Sequence, residues 1–237
     1  EEHFAVLDYV LAATVYNEFS PGNSHLGASA TARVGAEFTL GGIPFMAEAD
    51  GRQYQYNHYG TADSIVPRNT PCPPNLANDQ SCVTTIGGKS SVYVPSSLLL
   101  DRDIDGRLGF RLFPGRFYIA ASYLWRNTNY GYPQQHGVGF GLEKLPDLDK
   151  PASVYLNWYY YPNVKGSFID PTSRVSYDLT YWVQKIGGGL TLRLIPLGPT
   201  SSIFFDAGFT ADIGKNKAFA PDDFRHYGGY AGLGVNL

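Results

Sequence analysis

From His25 to Leu40 apolar and polar positions alternate without a slip. Leu26, Ala28, Ala30, Ala32, Val34, Ala36, Phe38 and Leu40 hold one phase. His25, Gly27, Ser29, Thr31, Arg33, Gly35, Glu37 and Thr39 hold the other. Strict period two predicts a β-strand with one apolar face. The run is far longer than the five or six residues usual in soluble sheets. It suits a tilted strand that crosses a bilayer, which needs about 9–11 residues in lipid.

The pattern recurs at Arg102–Phe113, Ser202–Gly214 and Tyr227–Leu237, and less regularly at Ala5–Phe19, Ile43–His58, Phe117–Asn129, Gly137–Lys144, Ser153–Tyr161 and Val175–Ile195. In the last of these the apolar phase changes from odd (Tyr177, Leu179, Tyr181, Val183) to even (Ile186, Leu190, Leu192, Leu194). That change predicts a β-bulge near Gln184–Lys185, which keeps one strand and an even count.

About ten strands result, and their connections alternate in length. Short ones fall at Gly41-Gly42, Pro114-Gly115, Leu145–Pro151 and Leu197–Ser201. Longer ones fall at Ser20–Ser24, Tyr59–Leu100, Tyr130–His136, Asn163–Arg174 and Lys215–Asp223. The expected fold is all-β: an antiparallel up-and-down transmembrane β-barrel, one domain over residues 1–237, with short periplasmic turns and long extracellular loops. Residues 59–100 are expected as the longest loop, and both termini as periplasmic.

Composition supports that choice. Charged residues make up 16 % of the 237, against roughly 25 % in ordinary soluble domains. Aromatics reach 15 %, with 18 Tyr, and there are 27 Gly. Mean hydropathy is −0.19, as for a soluble chain, but in a barrel only every second residue meets lipid. The net charge of −3 gives no footprint for nucleic acid. The opening Glu1-Glu2-His3-Phe4 has no basic n-region or apolar h-region and is read as a mature end whose leader was removed.

Two features separate a membrane barrel from a soluble one. Charges on the strands concentrate in the non-apolar phase, whereas one Arg or Lys facing mid-bilayer costs about 2–4 kcal/mol. Aromatics gather at the ends of the apolar phase. Tyr123, Trp125, Trp158, Tyr160, Tyr177, Tyr181 and Tyr227 lie toward the long loops, and Phe38, Phe45, Phe117 and Phe205 toward the short turns. Such rings form interfacial girdles.

The last residues add a resemblance. Tyr230, Gly232, Val235 and Leu237 are spaced as in the C-terminal assembly signal of outer-membrane barrels, with Leu237 where Phe is usual. The layout resembles small bacterial outer-membrane barrels of the OmpA/OmpX and omptin kind. The resemblance implies a Gram-negative-type envelope, outer-membrane lipid as surroundings and the barrel-assembly machinery as a partner.

In this fold the non-apolar phase faces the lumen. Carboxylates at Glu37, Glu48, Asp50, Asp103, Asp105, Glu143, Asp206 and Asp212 then meet Arg33, Arg52, Arg107, Arg111, Arg126 and Arg193. Mixed charge in a barrel of this width predicts a plug. Inward glycines at Gly137, Gly139, Gly141, Gly208, Gly228, Gly232 and Gly234 either leave a narrow path or make room for large side chains.

Four features of the chain are candidates for chemistry or covalent linkage. Asp101, Asp103 and Asp105, followed by Gly106, match the opening of a calcium loop, although Leu112 stands where the closing carboxylate belongs. The other reading has these Asp neutralised by Arg107 and Arg111. Omptin likeness would place Asp103 and Asp105 at one rim and Asp223 with His226 at another, as a hydrolase centre. No Ser stands beside His58, His136 or His226 for a lipid-modifying centre. Finally, Cys72 and Cys82 predict a disulfide that stiffens the longest loop.

The expected role is therefore structural or recognition, with the stapled loop meeting a surface or envelope protein partner. A narrow porin-like channel and a rim-site hydrolase stay open beside it. No cofactor is expected apart from calcium at the Asp cluster.

Overall fold

A long strand with one apolar and one charged face leaves its backbone edges to be satisfied, and here the strands do so by pairing in a ring. The computed structural model describes residues 3–16, 25–57, 64–68, 72, 81–84, 90–94, 98–128, 133–169, 174–198, 201–218 and 223–236. Its strands are β1 (His3–Tyr16), β2 (His25–Leu40), β3 (Ile43–Asn57), β4 (Ser64–Arg68), β5 (Ser81–Thr84), β6 (Ser90–Val94), β7 (Leu98–Phe113), β8 (Phe117–Thr128), β9 (Gln135–Lys144), β10 (Ala152–Ile169), β11 (Ser176–Pro196), β12 (Ser202–Ala218) and β13 (Phe224–Asn236).

Ten of these close a barrel in the order β1-β13-β12-β11-β10-β9-β8-β7-β3-β2. The first and last strands pair antiparallel, with Phe4 opposite Asn236. The turns are made by residues that tolerate positive φ. Gly41 (φ 59°) and Gly42 (φ 82°) link β2 to β3, a primed hairpin turn that matches strand twist.

The two faces are inverted relative to a soluble protein. Val34, Ile104, Leu108, Val138, Phe140, Val154, Leu156, Phe209 and Leu233 are exposed on the outside. Arg33, Arg52, Arg107, Arg126, Lys185, Asp105, Asp206 and Asp212 are buried within. Monomeric soluble proteins rarely expose contiguous apolar patches beyond a few hundred Å². No helix among the described residues is long and apolar enough to cross a membrane; a barrel crosses with strands.

Three expectations change. The chain divides into two compact units, Glu1–Gln55 with Leu100–Leu237, and Tyr56–Leu99. The second, expected as the long loop 59–100, contains the sheet β4-β6-β5, in which Cys82 pairs with Val92. Cys72 and Cys82 form a disulfide with their Cα atoms 5.7 Å apart. These strands have four or five residues each, too few for alternation to stand out among Pro, Ser and Gly.

The second change concerns β10, which runs on past the expected end at Tyr161 to Ile169 through an irregularity between Tyr161 and Val164. The third concerns β11, which is a single strand whose register with β12 slips at Thr180/Tyr181 and Arg193/Ile195 and not at Gln184–Lys185. Leu179, Tyr181, Val183 and Lys185 all face inward and are buried. The apparent change of phase marks a lumen that becomes apolar toward the long loops, so Tyr181 belongs to the interior and not to an outer girdle.

Candidate functional site

Alternation sends one residue in two of every barrel strand inward, and ten strands leave space for little but those side chains. The ion pairs they make reach across the lumen between well-separated walls. Arg33 on β2 reaches Asp206 on β12 at 2.6 Å, and its guanidinium lies 4.3 Å from the centre of the Tyr155 ring on β10. Arg52 on β3 meets Asp212 on β12 at 2.7 Å and Asp50 at 3.1 Å. Lys185 on β11 lies 2.9 Å from Asp105 and 3.5 Å from Asp103 on β7.

Arg107 is the hub. Its guanidinium lies 2.6 Å from Glu48, 2.5 Å from Asp105, 3.3 Å from Asp50 and 3.4 Å from Glu143. The Tyr159 ring covers it at 4.3 Å, and the Tyr159 hydroxyl donates to Glu143 at 2.5 Å. A charge so deep is tolerable only with such partners.

At the short-turn end Glu37 accepts from Arg111 at 3.1 Å and also from Arg116 and Tyr118. Arg116, with φ of 64°, also donates to the Pro146 carbonyl. The β9–β10 connection folds in with it, for Leu145 and Leu148 are 1 % and 2 % exposed. A hollow of about 370 Å³ opens beside this cluster, lined by Glu37, Arg111, Arg116, Asp147 and Asp149 among others.

Toward the long-loop end the charges give way to rings. Arg126 lies 2.5 Å from Asp101 and 4.0 Å over the Phe224 ring. His226 lies 3.2 Å from Asp101 and stacks on Tyr54 with centroids 4.6 Å apart. Tyr161, Val164, Tyr181, Val183 and Phe224 are fully buried around them. Between these two ends a cavity of about 10 Å³ lies beside Arg33, Asp50, Arg52 and Tyr155, about the room one water needs.

The inward glycines make room for these rings. A Cβ at Gly141 would run into the Tyr159 ring and the Trp158 carbonyl, and one at Gly139 into the Tyr161 ring and the Tyr160 carbonyl. On β11 and β12 a Cβ at Gly189 or Gly208 would meet the backbone of the facing strand as well as the Tyr230 hydroxyl.

Several candidate sites look different in place. Asp101, Asp103 and Asp105 each face a cation instead of converging as in a calcium loop. Among the described residues no group of three or more His, Cys, Asp or Glu is placed to hold a metal ion. Asp103 and Asp105 are buried in the lumen and not at a rim. Asp223 accepts from the Asn216 backbone at 2.9 Å, while His226 turns inward to Asp101, so the expected Asp–His pair is not formed.

Arg193, expected in the lumen network, stands where β11 slips register and donates to the Asp149 carbonyl at 3.2 Å. His136 faces outward beside Tyr123. Of the residues that resemble an assembly signal, Tyr230 is buried and Gly232 and Val235 are half-buried on β13; Leu237 and His58 lie outside the described residues.

The alternation at Lys185 held the signal for what was missed. An inward lysine sets its whole strand, which places Val183 and Tyr181 inside with it. Arg116 and Tyr118, beside the Pro114-Gly115 turn, could not be matched to Glu37 without the fold.

No protein-family model matches the chain, and no curated protein matches it in sequence. Among solved structures it is similar to the toluene transporter TbuX of Ralstonia pickettii, at 13 % identity over 99 % of this chain and 88 % of that one, with a TM-score of 0.32. It is also similar to the P. putida toluene transporter TodX, at 9 % identity over 99 % and 88 %, with a TM-score of 0.28. A deltaS2S3 mutant of TodX, a monoaromatic hydrocarbon channel, gives 9 % identity over 99 % and 89 %, with a TM-score of 0.28. Overlaps this loose carry no argument about cargo.

Proposed function

We propose that the chain is an integral outer-membrane β-barrel, of the small OmpA/OmpX or omptin kind in layout, with a closed interior and a structural or recognition role. In this reading the barrel is a rigid support, and the Cys72–Cys82 unit meets a surface or envelope protein. It works without a cofactor and without catalysis. An even strand number puts both ends of the chain on one side, and in this reading that is the periplasmic side, with the short turns. The apolar exterior supports lipid as its surroundings.

The observation that carries the closed interior is the set of ion pairs between strands that are not neighbours, Arg33–Asp206, Arg52–Asp212 and Lys185–Asp105, which cross the width a solute would need. Opening a path means separating buried charges from their partners, which costs several kcal/mol for each.

Planar-bilayer recording of the refolded protein, with and without calcium, tests this. Silence from a protein shown to be folded is expected. Steady, reproducible current steps would overturn it in favour of a narrow channel.

A further inference from the structure

Charges that face outward on the barrel strands are unevenly distributed. Among the residues whose side chains are described, those toward the long loops are Arg102 on β7, Lys165 on β10, Lys215 and Lys217 on β12 and Arg225 on β13, against one carboxylate, Asp178 on β11. At the short-turn end an outward charge is Lys144, which lies 5.9 Å over the Phe117 ring.

Most of this basic set stands on the adjacent strands β10 to β13, directly above an aromatic step. Lys215 is opposite Trp182 in register, and its ammonium lies 5.8 Å from that ring. Trp182 in turn packs 6.1 Å from Tyr160. Lys217 is held by the Pro162 carbonyl at 3.0 Å and by Asn163 at 2.6 Å. Nearby acid is occupied: Asp178 accepts from Ser167 at 2.6 Å, and Asp223 from the Asn216 backbone at 2.9 Å.

We infer that this face binds an anionic phospholipid headgroup in the leaflet at the long-loop end, with Lys215 and Lys217 as its principal contacts. The inference rests on the membrane reading above. Aromatic rings settle at headgroup depth, so ammonium groups just beyond them stand at the level of the phosphates. Lys215 and Lys217 are exposed there and already oriented, which lowers the cost of ordering them on contact. A juxtamembrane cation contributes about fivefold in affinity for an anionic surface.

The test uses the whole protein refolded into vesicles of phosphatidylcholine, with or without phosphatidic acid. A folded-barrel mobility shift on unheated gels reports insertion, and native mass spectrometry after extraction counts retained phosphatidic acid. Wild type should retain it, with roughly thirtyfold weaker retention in the K215Q/K217Q double variant. K144Q, at the other end, should match wild type, and D178K should retain more.

Equal retention by the double variant and wild type would overturn the proposal. So would displacement of the lipid from wild type by an equal concentration of inorganic phosphate, since that would mark a free-anion site. Absence of the mobility shift in wild type would instead overturn the membrane reading beneath it.

Discussion

The Tyr159 ring lies over Gly141, its cross-strand partner, so that a Cβ at Gly141 would come within 2.5 Å of the ring. That ring also covers Arg107 and bonds Glu143. One missing side chain on β9 therefore lets a tyrosine on β10 lie flat over the charge hub. A Cβ there would also run into the Trp158 backbone carbonyl, so Gly141→Ala should displace both the ring and the facing strand and cost about 3 kcal/mol, the upper end of the usual range for overpacking. Gly106→Ala serves as the comparison, because the nearest atom to its Cβ would be Trp125 at 3.9 Å. Urea unfolding in lipid vesicles should separate the two; equal midpoints would contradict this account of the glycine row.

Arg107→Met removes the cation that four carboxylates share. Loss of one partner from a buried ionic cluster typically costs about 3–5 kcal/mol. Arg193→Met should cost far less, since Arg193 bonds a backbone carbonyl at the short-turn end. Unfolding midpoints of the two variants, measured side by side, check the ranking.

The outward phase can be tested at Val34, which is 53 % exposed. Val34→Arg should destabilise the vesicle-inserted barrel by about 2–4 kcal/mol if that position lies near mid-bilayer. A spin label at the same site should report lipid accessibility. Water accessibility there would contradict the membrane reading.

Much of the fold was legible because charge cannot face lipid. Arg33, Glu37, Arg107 and Arg111 lie in one phase of their strands, and the phase alone sets both faces. What could not be read was which charge meets which, for the partners come from walls far apart in sequence: Arg33 with Asp206, Arg52 with Asp212, Lys185 with Asp105. Apolar residues were ambiguous for the opposite reason. Tyr181 and Val183 satisfy either lipid or a packed lumen, and only the inward Lys185 resolves them. His226 was placed at a rim beside Asp223 because their spacing is local, whereas its partner Asp101 stands on β7. The sheet β4-β6-β5 leaves no mark in the sequence because its strands are too short to show a period.

Reducing the Cys72–Cys82 bond should loosen Tyr56–Leu99 and leave the barrel intact. A bridge closing a loop of ten or so residues contributes about 3 kcal/mol in the chain-entropy description. Limited proteolysis with and without reductant should show faster cleavage within that unit, while the folded-barrel mobility stays unchanged. Loss of the mobility shift on reduction would mean that the two units do not fold independently.

The seam between β1 and β13 joins Phe4 to Asn236, nearly the full span of the chain. Until that last ladder forms, both edges of an otherwise finished sheet carry unmet N–H and C=O groups, which hydrocarbon cannot satisfy. Every hairpin can form locally, but insertion cannot be completed piecemeal. The final contact also has the greatest sequence separation and so the largest chain-closure cost. Assembly should thus be all-or-none and slow, and the half-made sheet, with two open edges, is the species that most needs a chaperone before it reaches lipid.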